Sequence, residues 1–148
     1  MEYKECINFL LTVSQRKVEK DLSALLASYD VTPVQYGVLN SLWQKNRKNP
    51  KEIADELHLE TSTITGVVER MERKGLVTRA ISKEDRRFID ICLTKKGRAL
   101  EKPVSETVEL FDREVFAALT EEERSCLAAT LTKLYSTEKM EAKPFVSE

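Results

Sequence analysis

The chain has 148 residues, 41% hydrophobic and 33% charged, with a net charge of −1, proportions that suit one soluble globular domain with a real core. No apolar run reaches bilayer-spanning length, and the start Met1-Glu2-Tyr3-Lys4-Glu5 lacks the basic opening of a secretion signal, so a cytoplasmic protein without membrane association is expected. Three widely spaced cysteines, Cys6, Cys92 and Cys126, with no Cys-x-x-Cys pair, and the single His58 argue against a disulfide framework and a zinc centre, so no metal and no other cofactor is expected.

Punctuation is sparse, with four glycines and four prolines, which predicts long helices and short connections. From Ile7 to Tyr29 the apolar positions Ile7, Leu10, Leu11, Val18, Leu22, Leu25, Leu26 and Tyr29 recur at helical spacing and predict a first helix with one wide buried face. Thr32-Pro33-Val34-Gln35 combines a capping hydroxyl, a proline at the first helical position and a glutamine three residues past the cap, which starts a second helix. That helix carries Tyr36, Leu39, Leu42 and Trp43 inward and ends in Lys45-Asn46-Arg47-Lys48. Asn49-Pro50-Lys51-Glu52 repeats the start signal, and Ile53, Ala54 and Leu57 give a short third helix.

A fourth helix begins at Thr61-Ser62-Thr63-Ile64-Thr65 and stops at Gly75, where a left-handed residue closes it. At 100° per residue, Ile64, Val67, Val68 and Met71 share the core side, while Ser62, Gly66, Glu69 and Arg73 lie opposite, flanked by Thr63, Thr65 and Arg70. One hydroxyl, of Thr61 or Ser62, is expected to cap the orphan amides. Four hydroxyls exceed what capping needs, and a first turn of hydroxyls and one glycine lets a backbone approach base edges and exchange hydrogen bonds with them. Leu76–Ile81 and Phe88–Leu93 then alternate as half-buried strands joined by Ser82-Lys83-Glu84-Asp85-Arg86-Arg87. Lys83, Arg86 and Arg87 at this tip either form an ordinary solvated loop or reach phosphates and the adjacent minor groove, with Asp85 pairing to Arg87 to hold the fork. Residues 45–98 hold 14 Lys/Arg against 9 Asp/Glu, residues 1–44 hold 4 against 5, and residues 99–148 hold 6 against 11. Positive charge thus collects on the segment with the fourth helix and the hairpin, as phosphate binding requires.

After Thr94, Leu100, Val104, Val108, Phe111, Val115 and Leu119 predict a long helix, kinked or delayed in its start by Pro103. Thr120-Glu121-Glu122-Glu123 caps another, carrying Leu127, Leu131, Leu134 and Tyr135. The first helix and these two have more apolar surface than a small domain covers, which predicts packing against a second copy. Residues 141–148 are expected to fray. The expected class is mainly α with a small β-hairpin.

Several stretches, Val31-Thr32-Pro33-x-Gln35, Ile53-Ala54-Asp55-Glu56-Leu57, Ser62-Thr63-Ile64-Thr65-x-x-Val68-x-Arg70-Met71-Glu72-x-Lys74-Gly75-Leu76-Val77-x-Arg79 and Asp85-Arg86-Arg87-x-x-x-Ile91-x-Leu93-Thr94-x-x-Gly97, resemble the MarR (multiple antibiotic resistance regulator) family. The Asp-x-Arg element with its trailing Leu-Thr is the specific part. The resemblance covers nearly the whole chain and implies one MarR-type domain over 1–148. Its winged helix-turn-helix would occupy 31–94, with dimerisation helices at 1–30 and 95–140. It also implies a homodimer on pseudo-palindromic double-stranded DNA, usually a repressor, released by a small aromatic or phenolic effector or by thiol oxidation.

Matched by position, Ser62, Thr63, Thr65 and Gly66 correspond to the family's groove-facing first turn, and Asp85 and Arg87 to the wing pair, with Arg86 as a further phosphate contact. Arg70 corresponds to a family arginine, and an intramolecular salt bridge to the wing is its other reading. Glu69 fits less comfortably on the outward face. Arg16, Tyr36, Asn40 and Trp43 would suit an aromatic carboxylate, since an aromatic floor and one cation complement it, although Tyr36 and Trp43 also read as core. The family's peroxide-sensing branch uses a cysteine near the start of the first helix. Cys6 stands two residues early for that role, with Asn8 in the expected place, and a slip of two turns a helical side chain by about 200°. Cys92 and Cys126 read as packing residues. An enzyme is not expected, because one histidine and scattered acids offer no nucleophile-base pair; a winged-helix interaction module would instead need an apolar or acidic recognition face.

Overall fold

The computed structural model describes residues 2–136. A short 3-10 turn at Tyr3–Glu5 leads into α1 (Ile7–Leu26), which tightens into a second such turn at Ala27–Tyr29. The helices α2 (Pro33–Gln44), α3 (Pro50–Leu57) and α4 (Thr61–Arg73) follow, then the antiparallel strands β1 (Val77–Ile81) and β2 (Ile89–Leu93), and finally α5 (Lys95–Ala99), α6 (Glu101–Phe116) and α7 (Glu121–Ser136). The mainly helical fold with a hairpin wing is as expected from the sequence. Two compact units separate, Met1–Phe111 and Asp112–Glu148. The predicted fraying at 141–148, and the end of the predicted 95–140 helical stretch, lie outside the described residues.

The start signals work as read. Thr32 Oγ1 accepts from the Gln35 amide at 3.3 Å while Gln35 Oε1 accepts from the Thr32 amide at 3.2 Å, and Asn49 and Glu52 exchange the same pair of bonds at 2.9 and 2.8 Å. Each box satisfies two amides that a helix start otherwise leaves without partners. Gly75, at φ 71°, closes α4: its amide donates to Glu72 O at 2.9 Å and that of Leu76 to Met71 O at 3.0 Å. Ile64, Val67, Val68 and Met71 meet Val38, Leu39, Leu42, Ile53, Ala54, Leu76, Val77, Ile91 and Leu93 in one buried cluster. This core fixes α4 against α2 and α3 and seats the base of the hairpin.

Several expectations are met only in part or corrected. Of α1 only Leu26 is buried; Ile7, Leu10, Leu11, Val13, Val18 and Leu25 are exposed, so the wide apolar face finds no cover among the described residues, in keeping with the expected packing against a second copy. The second helix ends at Gln44, and Lys45–Lys48 form not its basic end but a turn whose last residue bridges to Ile91. The long helix starts late, as anticipated at Pro103, which has no N–H to give Ala99 O; a separate short α5 stops at Ala99, and α6 starts at Glu101 with Pro103 in its first turn. Leu119 falls beyond α6. Cys92 is buried as expected, but Cys126 is exposed on α7, a helix with no buried residue. In the second unit, Thr120 and Glu123 form the anticipated capping box, and the Arg124 guanidinium lies 4.9 Å from the centre of the Phe116 ring.

The turn hides an ion pair that no periodicity announces. Lys48 is buried, and its Nζ donates to both Glu56 carboxylate oxygens at 2.8 Å and to Ser41 Oγ at 3.1 Å, tying α2, the turn and α3 together. The bonds from Lys48 and Ser41 hold the Glu56 carboxyl below the usual 4.5. Its stabilising contribution is therefore complete above that value and is lost as pH falls through the lowered one. Glu56→Gln should cost about 1–2 kcal/mol at pH 7, discounted because Glu56 is half-exposed. Thermal melts should show a gap from wild type that narrows from pH 7 to pH 3; a gap independent of pH would contradict this account.

Candidate nucleic-acid interface

Helix α4 begins one residue earlier than a hydroxyl cap would require. Its N-cap is Glu60, extended at φ −71° and ψ 143°, with no side-chain capping bond. The expected cap by Thr61 or Ser62 is thus not made, because Thr61, Ser62 and Thr63 already sit in the first turn with their side chains exposed. Their hydroxyls are not used for capping. Thr65 Oγ1 donates to Thr61 O at 3.0 Å, which commits its proton to the helix and leaves its lone pairs outward.

Gly66 is half-buried rather than open, because the Arg70 side chain folds back along the helix: a Cβ at Gly66 would meet Arg70 Nη1 at 3.8 Å. Among the described residues Arg70 makes no salt bridge, so its intramolecular reading is not realised. The tie between this helix and the hairpin is made by Arg79 of β1, which stands 3.9 Å from Glu69 and 3.4 Å from Glu72. That contact also accounts for Glu69, whose negative charge on the outward face is partly answered from the strand behind it.

At the wing tip the Asp85–Arg87 pair forms as expected. Arg87 Nε donates to Asp85 Oδ1 and Oδ2, each at 3.1 Å, Nη2 to Oδ2 at 2.6 Å, and the Arg87 amide to Oδ1 at 3.0 Å. These bonds lower the Asp85 carboxyl below its ordinary range and raise the Arg87 guanidinium above its own, so the fork persists through neutral pH. The guanidinium also lies 5.9 Å from the centre of the Phe88 ring. Lys83 and Arg86 are exposed beside it. Of the basic residues in 45–98, Lys45, Arg70, Arg73, Lys83, Arg86, Lys95 and Arg98 have no ion pair or side-chain hydrogen bond among the described residues. Cations without internal partners next to an uncapped, hydroxyl-rich helix start form the arrangement that engages phosphates and base edges.

The chain is similar to known proteins in sequence and in fold. A sequence model of the MarR family matches residues 31–89, and the organic hydroperoxide resistance transcriptional regulator of Bacillus subtilis (strain 168) is 35% identical over 102 residues, 69% of each chain. The chain belongs to the MarR family. Among solved structures, the MarR fold here resembles the transcriptional repressor CouR bound to a 23-mer DNA duplex, with a TM-score of 0.82 at 27% identity over 89% of this chain and 94% of that one. A mutant of MarR from E. coli complexed with operator DNA also gives 0.82, at 26% identity over 90% and 98%. This MarR-family chain is a DNA-binding transcriptional regulator and not an enzyme. Among its described residues no helix is long and apolar enough to cross a membrane.

The residues singled out for an effector are only partly brought together. Tyr36 and Trp43 lie on α2 with ring centres 6.3 Å apart, both half-buried against the core cluster, and Trp43 Nε1 donates to Gly97 O at 3.0 Å. Asn40 on α2 and Arg16 on α1 are exposed. Cys6 is partly buried and caps α1 in an extended conformation, φ −65° and ψ 130°. It lies outside the helix, so the 200° rotation argued from helical spacing does not apply to it. What the sequence reading missed is the turn at Asn46, Arg47 and Lys48; no capping, periodic or glycine signal marks it.

Proposed function

We propose that this MarR-family regulator is a cytoplasmic homodimeric repressor of pseudo-palindromic duplex sites. Thr61, Ser62, Thr63, Thr65 and Gly66 read bases from α4 with Arg70, while Lys83, Arg86 and Arg87 grip the flanking strand and Asp85 sets the fork. The observation that carries this reading is the first turn of α4, outward-facing and not spent on capping, beside cations without partners among the described residues. Support for a homodimer comes from the apolar faces left open on α1 and on α7, including Leu127, Leu131, Leu134 and Tyr135. Two-fold symmetry would set two copies of α4 about 34 Å apart, one DNA turn. Repression agrees with the role that CouR carries in its name. A small aromatic or phenolic effector, held by Arg16, Tyr36, Asn40 and Trp43, would release the DNA.

Selection from random duplexes, followed by salt titration on the selected site, tests the reading. Affinity should fall steeply with salt, and sedimentation should give twice the 17.0 kDa chain mass. A monomer, or no duplex bound at low salt, would refute it. Thr65→Val keeps the shape but removes the outward lone pairs, so preference at one base pair should weaken by about fivefold, with little change in salt slope.

A second reading has its own support: the Bacillus subtilis relative is named for organic hydroperoxide resistance, and Cys6 is a partly buried thiol at a helix start. On this reading peroxide releases the DNA, and Cys6→Ser abolishes the release. Loss of binding on peroxide in both proteins would assign the sensitivity elsewhere.

A further inference from the structure

A two-stranded hairpin alone is marginal in water, and only the base of this one sits in the core: Val77, Ile91 and Leu93 are buried, whereas Ile81 and Ile89, paired across the strands nearer the tip, are exposed. Something else must fix its direction. The turn between α2 and α3 ties the hairpin along both strands. Lys48 N donates to Ile91 O at 3.3 Å and Ile91 N to Lys48 O at 2.8 Å, adding a one-residue third strand to the outer edge of β2. Asn46 Oδ1 accepts from the Leu93 amide at 2.9 Å and from the Arg47 amide at 3.1 Å. Arg47 reaches further out, where Nη2 donates to Ile81 O at 3.2 Å and Nε stands 3.5 Å from Asp90 Oδ2. To do so it adopts φ 70°, a left-handed conformation that a residue with a side chain holds only where its surroundings over-determine it. Lys48 Nζ anchors the far side of the turn in Glu56 and Ser41.

We propose that Asn46, Arg47 and Lys48, with their partners Asp90 and Glu56, form a clasp that sets the angle of the wing against α4 and thereby positions Arg86 and Arg87 on the DNA strand, without touching DNA themselves. This rests on the DNA-reading assignment above. The lever is long: from Asp90 to Arg86 the strand and turn span about 11 Å, so a tilt of about 20° at the clasp moves the tip by about 4 Å. That displacement exceeds the reach of a hydrogen bond.

The clasp makes a prediction of unusual sign. Removing a carboxylate from a protein that binds phosphates should strengthen binding through its charge alone. Asp90→Asn should instead weaken it by about tenfold, because each homodimer loses two clasped wings. Its salt dependence should become shallower, as the wing phosphates are lost, while the base preference attributable to Thr65 is retained. Asn46→Ala, a neutral change that cannot itself remove an ion pair with phosphate, should do the same. Thermal melts identify any variant that is globally unfolded, and hydrogen exchange at the Leu93 and Ser82 amides should be faster in both folded variants. If wild type binds a duplex and Asp90→Asn binds equally or more tightly with an unchanged salt slope, the clasp is overturned and the DNA reading stands. If wild type binds no duplex, the DNA reading fails instead, and unchanged exchange in both variants would then overturn the clasp.

Discussion

Arg87→Ala should lower affinity for the selected duplex by about 100-fold, the loss of one charge-assisted contact in each of two wings. The slope of log affinity against log salt should flatten by about 2, close to one released counterion per lost phosphate contact per wing. Arg87 is expected to matter more than Arg86 because its guanidinium is already locked by both Asp85 oxygens, so less side-chain freedom is lost on binding. Arg86, with no partner among the described residues, must surrender that freedom when it meets the strand. Arg87→Lys should recover only part of the loss, since an ammonium cannot span the carboxylate as a planar fork does. Between about pH 6 and 9 the effect should be flat, because the lowered Asp85 carboxyl and the raised Arg87 guanidinium keep both charges in place throughout. Wild-type affinity in Arg87→Ala would remove the wing from the interface.

Gly97→Ala should be the most damaging alanine substitution among the four glycines. A Cβ there would lie 2.1 Å from Leu76 O and 3.2 Å from Leu93 Cδ2. The first obstacle is backbone, and it cannot retreat freely: Leu76 O accepts from the Thr94 amide at 3.1 Å and from Thr94 Oγ1 at 3.0 Å. Helix α5 cannot easily back away either, because Gly97 O accepts the Trp43 indole N–H. We expect a loss of about 3 kcal/mol or more and a melting temperature lower by about 10 °C. Gly75→Ala provides the contrast. Nothing lies within 4 Å of its added Cβ, so only the left-handed backbone resists, at about 1 kcal/mol. Equal melting temperatures for the two variants would refute the crowding at Gly97.

Features whose causes lie within about one turn of chain are legible from the order of residues alone. The boxes at Thr32, Asn49 and Thr120, the core stripe of α4, the stop at Gly75 and the Asp85–Arg87 fork all join residues two to five apart. Spacing alone reports such contacts, because local geometry leaves few other partners in reach. Where neighbouring starts compete locally, the reading slipped: Glu60 rather than a hydroxyl residue became the cap of α4, since one residue more of helix costs little at a frayed end.

The remaining contacts depend on how distant segments pack. Lys45–Lys48 reads as a basic helix end until Glu56 and Ser41 converge on Lys48 and the hairpin presents Leu93 N–H, Asp90 and Ile81 O to Asn46 and Arg47. Trp43 and Gly97 are 54 residues apart and Tyr29 and Thr107 78 apart, yet each pair shares a bond. Among the described residues the same packing leaves the apolar face of α1 open. Partners so distant in sequence meet because burial of the common core brings their backbones together, and the polar groups then enclosed must bond to whatever has arrived beside them.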